Sequence, residues 1–217
     1  MTIKIYGMPY STCTARVLAT IAEKEVEDYE LVPVDLSVGA HKKPEFLKMQ
    51  PFGMIPVLQD SHLTIYESRA IARYISDKFE SQGTPLFGKT VKDKALVNQW
   101  LEVESQNYNP CVSSIVYQLV FAPMHGRQGD ETVVKQQLEK LEKVLDIYEA
   151  HLSKNKYLAG DFFSLADLSH IPYTYYLVNV AKKGDGITSR KHVSAWWEDI
   201  SSRASWKTVT AKMNAKV

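Results

Sequence analysis

The chain opens on an alternation of apolar and polar side chains. Ile3-Lys4-Ile5-Tyr6 has the period of two that suits a strand in a sheet. Gly7 and Pro9 end it. From Ser11 the period changes: Val17, Leu18, Ile21 and Ala22 recur at helical spacing, which predicts a helix from Ser11 or Thr12 to Glu25. Tyr29-Glu30-Leu31-Val32-Pro33-Val34 reads as a second strand. Strand, helix and strand in that order imply a parallel pair with a right-handed crossover. A polar loop from Asp35 to Lys43 carries Gly39, His41 and Lys42, and Pro44 opens a short helical piece ending at Met49. Pro51, Gly53 and Pro56 lead into the short apolar strand Val57-Leu58-Gln59. Asp60-Ser61 turns the chain, and His62–Tyr66 runs back with renewed alternation, a hairpin. Glu67-Ser68 then starts a helix with Ile71, Ala72 and Ile75 on one face.

The order βαβαββα, parallel strands first and an antiparallel hairpin second, predicts a thioredoxin-like unit. Such a unit carries its chemistry at the first strand-to-helix corner. Gly83, Pro85 and Gly88 then interrupt the pattern, and beyond them the strand signal disappears. Val91–Tyr108 reads as helix, with a bend or break at Asn109-Pro110. The pattern resumes through Val112, Ile115, Val116, Leu119 and Val120, and Pro123–Gly129 reads as a loop. The clearest helix is Thr132–Leu152, striped by Val134, Leu138, Leu141, Leu145, Tyr148 and Leu152. Ser164 with Asp167 three residues on is a capping box, a folding device without a catalytic assignment. Helices over Val193–Arg203 and Trp206–Met213 finish the chain. The expected division is a thioredoxin-like domain at 1–79, a linker at 80–90 and an all-helical domain at 91–217.

Composition narrows the function classes. The 217 residues carry 26 basic and 25 acidic side chains, a net charge of +1, which argues against a dedicated nucleic-acid binder. Neither a signal peptide nor an apolar stretch long enough to span a bilayer is visible, so a cytoplasmic location without membrane association is expected. Two cysteines, Cys13 and Cys111, fit a reducing compartment.

The corner Tyr6-Gly7-Met8-Pro9-Tyr10-Ser11-Thr12-Cys13-Thr14 sets a hydroxyl beside the positive end of a helix. That place favours an anion, whether phosphate, carboxylate or thiolate. Ser11 or Thr12 serving only as an N-cap is the competing reading. There is no G-x-G-x-x-G, no Walker A sequence, no H-E-x-x-H and no C-x-x-C, and the six histidines are scattered. No dinucleotide, cofactor or metal site is therefore expected, and a two-cysteine redox mechanism is not available.

Five further groups of residues carry a resemblance. They are Tyr6-Gly7 through Ser11-Thr12 with Arg16-Val17-Leu18; His41-Lys42 with Pro44-Glu45-Phe46-Leu47; Pro51-Phe52-Gly53 through Ile55-Pro56-Val57-Leu58; Glu67-Ser68-Arg69-Ala70-Ile71; and Tyr157-Leu158-Ala159-Gly160 with Ser164-Leu165-Ala166-Asp167-Leu168. In this order, nearly end to end, the chain resembles a cytosolic glutathione transferase of the plant phi class. The resemblance implies glutathione as co-substrate, no further cofactor and a homodimer, with Phe52 a candidate interface aromatic. Ser11 would then donate a hydrogen bond to the glutathione thiolate, with Thr12 as understudy, and Arg16 would orient the loop or add positive potential, or be a structural surface arginine. His41 and Lys42 would face the glycyl carboxylate. Ile55 would offer its backbone to the cysteinyl part, before a cis peptide at Pro56. Ser68 would hold the γ-glutamyl carboxylate and Glu67 the amine. Met54 departs from the family, which usually has Gln there; weaker binding or a rearranged contact is expected. The electrophile would bind between the two domains, with Tyr10, Tyr117 and Phe121 as candidates, the last two on one helix face.

Three activities follow. The first is conjugation of glutathione to small hydrophobic electrophiles, with reduction of organic hydroperoxides through the same thiolate. The second is carriage of flavonoid-like aromatic ligands. The third is a thiol oxidoreductase reaction at Cys13, ranked below the others because Ser11 occupies the redox position of such relatives.

Overall fold

The computed structural model describes residues 2–214. Its chain contacts divide it into two compact units. The first runs to Leu86 and takes in the last helix; the second is Phe87–Arg203.

The first unit is built on a four-stranded sheet. In chain order it contains β1 (Ile3–Gly7), α1 (Thr12–Glu23), β2 (Tyr29–Pro33), a 3-10 turn (Ala40–Lys42), α2 (Pro44–Leu47), β3 (Val57–Asp60), β4 (Leu63–Tyr66) and α3 (Ser68–Lys78). This is the expected thioredoxin-like order, and helices follow it in the rest of the chain. The sheet order is β2-β1-β3-β4. β1 and β2 are parallel, while β3 runs antiparallel to β1 and β4. The register Tyr6↔Val57, Val57↔Tyr66 and Gly7↔Pro33 brings four chain positions to one end of the sheet. These are the exits of β1, β2 and β4 and the entry to β3. The connections that carry the candidate glutathione-site residues meet that end.

α1 is buried nearly all round, from Thr14 to Ile21, and α3 and α11 (Ala204–Asn214) pack against it. It stops at Glu23, two residues before the expected end, and Glu25 takes a positive φ of 53°. Glu23 is itself buried and accepts hydrogen bonds from the hydroxyls of Thr84 and Ser205. The second of these ties α11 to α1, with Trp206 and Val209 buried. Thus α11 belongs with the first unit, where the sequence division had placed it with the helical part. Its partners lie too far away in sequence for local pattern to reveal them.

The second unit begins with one helical run, α4 (Val91–Val103), α5 (Asn109–Val116) and α6 (Ala122–Met124), joined by π-helical turns at Glu104–Tyr108 and Tyr117–Phe121. The expected break at Pro110 is therefore absorbed. The proline enters at the start of α5, directly after a π turn, where the backbone ladder is already altered. The expected loop from Pro123 starts instead after Met124. α7 (Glu131–Leu152) buries Val134, Leu141, Leu145, Tyr148 and Leu152 of its expected stripe, and Leu138 is half-buried. α8 (Leu165–Tyr175) follows with a π turn (Tyr176–Val180), then α9 (Asp185–Thr188) and α10 (Lys191–Ser201).

The core of this unit is partly polar and hydrogen-bonded. The Tyr108 hydroxyl meets Thr174 Oγ1 at 2.7 Å, and the Tyr148 hydroxyl meets His170 Nε2 at 3.0 Å. Carboxylates close the helix starts. Asp93 and Asp167 complete capping boxes with Thr90 and Ser164, Asp130 caps α7, and Glu149 accepts from the backbone N–H groups of His192 and Val193. Asp167 is fully buried and also accepts from Leu158 N at 3.0 Å and Trp196 Nε1 at 2.9 Å. Burial nonetheless pushes its carboxyl above the usual range. Among the described residues, no helix is long and apolar enough to cross a membrane.

Candidate functional site

The site is assembled by the four connections at the β1/β3 end of the first unit. Ser11 caps α1 with extended backbone, and its Oγ accepts from Thr14 N at 3.4 Å, a long bond. The residue is half-buried. Thr12 beside it is buried. No acid occupies the first turn of α1, so no side-chain carboxylate competes for the positive helix end.

The second connection carries His41 and Lys42 in the 3-10 turn. His41 Nδ1 is buried without a hydrogen-bond partner. Burial, and then the charge of Lys42, hold the imidazole below its ordinary pKa, so at neutral pH it is an uncharged ring. Lys42 donates to the carbonyls of Phe52 at 3.0 Å and Gly53 at 2.9 Å. An ammonium has three donors, so one remains. This brace fixes the 41–42 turn to the loop before β3. Gly53 makes the approach fit: its φ is +60°, and a Cβ there would lie 2.8 Å from His41 O and 2.9 Å from Lys42 Nζ.

The third connection is Met54-Ile55-Pro56, with a cis bond between Ile55 and Pro56. The buried Gln50 side chain accepts from Met54 N at 3.3 Å, and the Met54 side chain is exposed. Ladder pairing in β3 begins at Val57, so Ile55 stands just outside the sheet at its open end. Val34, Phe46 and Val57 form a small core beneath, with Ile55 packed against it.

The fourth connection is Glu67-Ser68. Glu67 is exposed and takes φ 71°, an uncommon conformation for a side-chain-bearing residue that costs about 1–3 kcal/mol. Ser68 is buried at the first position of α3, and the first turn of that helix also lacks an acid. Arg16 Nη1 donates to Ser68 Oγ at 2.7 Å and lies 3.8 Å from Cys13 Sγ. Arg16 is fully buried, so the surface reading of this arginine is overturned: α1 has no solvent face at that position.

The contact of Gln50 with Met54 N, the close approach at Gly53 and the burial of Arg16 escaped the sequence reading. A usable signal existed for Arg16, a lone charge inside the run Ala15-Arg16-Val17-Leu18-Ala19. Of the expected aromatic candidates, Tyr10 is in the first unit, where burial and then Asp35 raise its phenol pKa. Tyr117 and Phe121 are in the second. They begin and end a π-helical turn, which keeps a spacing of four on one face. Tyr117 is exposed and its hydroxyl accepts from Arg127 at 3.4 Å; Phe121 packs on Tyr176 with ring centroids 5.2 Å apart.

The arrangement presents an apolar-backed end of a sheet, two helices with no acid in their first turns, a neutral imidazole with an unmatched nitrogen and a braced lysine. It suits an extended ligand with anionic groups at separate points.

Comparison with known proteins gives this geometry a family. Residues 1–77 match the model for the glutathione S-transferase N-terminal domain, and residues 109–204 match that for the C-terminal domain. The chain is 52% identical to glutathione S-transferase F10 of Arabidopsis thaliana over 217 residues, covering 100% of each chain. It is 53% identical to the solved glutathione transferase F7 of Populus trichocarpa, with a TM-score of 0.94 and coverage of 99% and 100%. Glutathione S-transferase I of maize, solved with an atrazine glutathione conjugate, is 38% identical with a TM-score of 0.90 and full coverage of both chains.

Proposed function

The chain belongs to the glutathione S-transferase family as a plant phi-type enzyme, and from that premise we propose that Ser11 stabilises the glutathione thiolate for attack on small hydrophobic electrophiles. The carrying observation is the state of the Ser11 hydroxyl. It sits at an acid-free helix N-terminus, and its one partner among the described residues is the long bond from Thr14 N. Its own hydrogen is thus available to an anion.

A free thiol titrates near ~8.5, and lowering that by about two units takes roughly 2.7 kcal/mol of preferential stabilisation. One hydroxyl hydrogen bond to an anion together with a helix N-terminus is of that size. Ser11 acts as a donor and never becomes the nucleophile. Thr12 supports the same turn. His41 and the third donor of Lys42 take the glycyl carboxylate. Ile55 offers its backbone to the cysteinyl residue before Pro56, and Met54, whose side chain points to solvent, flanks it. Ser68 and the N–H groups opening α3 take the γ-glutamyl carboxylate, and Glu67 the amine. Tyr10, Tyr117 and Phe121 are assigned to the electrophile. The maize relative's atrazine conjugate supports an aromatic electrophile class for this chain. Hydroperoxide reduction through the same thiolate, a homodimer and a cytoplasmic location are part of this reading.

The test is the titration of bound glutathione, followed by thiolate absorbance. The wild-type midpoint is expected about two units below the free thiol, near 6.5. Ser11→Ala should return most of that shift, and Cys13→Ala should leave it in place. A dead Cys13→Ala variant beside an active Ser11→Ala variant would overturn the reading in favour of a cysteine mechanism. Tight binding of flavonoids with no conjugation of any aromatic halide would favour a carrier.

A further inference from the structure

Arg16 is a full positive charge buried completely within the first unit, and it joins two corners of the site. Its Nη1 donates to Ser68 Oγ at 2.7 Å and reaches Cys13 Sγ at 3.8 Å. One end of this link is the first turn of α1, beside Ser11; the other is the first residue of α3. We propose that Arg16 is a positioning residue that selects the γ-glutamyl carboxylate of glutathione by acting through Ser68. This rests on the assignment of Ser68 to that carboxylate.

A serine hydroxyl has one donor and two acceptor lone pairs, and its hydrogen rotates to suit its neighbours. A guanidinium has only donors. With Arg16 donating to Ser68 Oγ, the hydroxyl hydrogen cannot point at Arg16 and must turn elsewhere. At the start of α3 the groups pointing outward are backbone N–H donors, since the first intrahelical bond is that of Ile71 N to Glu67 O. The rotated hydroxyl therefore adds one more donor to a set that already suits a carboxylate. The charge behind it polarises the O–H bond, and charge-assisted hydrogen bonds are about twice as strong as neutral ones. The buried guanidinium is only one hydrogen bond removed from the ligand, in surroundings where water screens little.

Arg16 thus acts on ligand affinity and recognition rather than on the thiol itself, which belongs to Ser11. That separates it from a merely structural residue. Loss of a structural residue lowers the thermal midpoint and the fraction of active enzyme. Loss of a positioning residue raises KM for one substrate.

The experiment is a double-mutant cycle on the full-length enzyme with glutathione as the varied substrate. Arg16→Gln is expected to raise KM for glutathione by about tenfold, with kcat within about threefold of wild type. Arg16→Lys keeps a charge and a donor but loses the fork, and should recover most of that loss. In the Ser68→Ala background, Arg16→Gln should change KM by less than about twofold, since the residue it acts through is gone. A glutathione analogue without the γ-glutamyl α-carboxylate gives the chemical counterpart: wild type should discriminate against it, and Arg16→Gln should lose that discrimination.

Equal effects of Arg16→Gln with and without Ser68 would overturn the inference, as would a fall in kcat at unchanged KM. If Arg16→Gln does not fold, the same cycle is run with Arg16→Lys. There a KM rise of about threefold that disappears on Ser68→Ala supports the proposal, and one that persists or never appears overturns it. Failure of the underlying assignment has a different signature: Ser68→Ala alone would leave KM for glutathione unchanged.

Discussion

Ser11 and Ser164 each stand immediately before a helix, and their surroundings differ. Ser164 is fully buried. Its hydroxyl donates to Asp167 at 2.8 Å and accepts from Ala166 N at 3.2 Å. Asp167 also accepts from Ser164 N, Leu158 N and Trp196 Nε1. Ser11 is half-buried, accepts one long bond and has Thr14 where the box would place an acid. The contrast extends beyond the two serines. In the second unit, Asp93, Asp130, Asp167 and Glu149 neutralise helix starts, while in the first α1 has no acid at its N-cap or in its opening turn. A helix start closed by a carboxylate serves folding. One left open keeps its positive potential for a ligand, and gives up the stability a box would add.

The largest expected effect lies on the closed side. Asp167→Ala strands the N–H groups of Leu158, Ser164 and Trp196 and should cost about 3–5 kcal/mol in denaturant unfolding. Loss of under about 1 kcal/mol would show that the box is not what holds this turn. Next comes Ser11→Ala. It should lower kcat/KM for glutathione conjugation about 10²-fold, while moving the unfolding free energy by less than about 1 kcal/mol. A variant that lost stability and activity in step would erase the distinction between the two serines. The sharpest test adds to α1 what it lacks. Cys13→Asp places an acid in the open first turn, where the macrodipole should stabilise the helix by about 0.3–1 kcal/mol. The same charge should disfavour the thiolate and lower kcat/KM about tenfold, so stability and activity move in opposite directions. A Cys13→Asp enzyme with wild-type kinetics would mean that the open helix end contributes nothing to the thiolate. The smallest effect concerns Met54. Met54→Gln should lower KM for glutathione about threefold, the gain of one neutral hydrogen bond, read in steady-state kinetics.

Much of this contrast was legible from residue types. Ser164 with Asp167 three positions on announces a box, and Ser11 followed by Thr14 announces its absence. The alternation in Ile3–Tyr6 and His62–Tyr66 and the stripe of the helix ending at Leu152 fixed the order of elements, since each pattern is local. What escaped detection was non-local or left the hydrophobic count unchanged. A π turn such as Glu104–Tyr108 shifts the backbone ladder by one residue without a signature of its own. A surface place for Arg16 stayed open in the sequence because the α3 and α11 partners of α1 lie dozens to nearly two hundred positions away. The brace from Lys42 to the Phe52 and Gly53 carbonyls joins two loops whose sequences give no hint of each other. At the site, the motif residues were legible, but the hydrogen bonds that aim them were not.

The placement of α11 against α1 has a consequence for the order of synthesis. Glu23 and the buried face of α1 wait for Ser205, Trp206 and Val209, and all of Phe87–Arg203 is translated in between. The unit that begins first on the ribosome is therefore completed last. Until α11 emerges, the helix that opens at Ser11 has an uncovered side, and the site can reach its final form only after translation has passed the whole second unit.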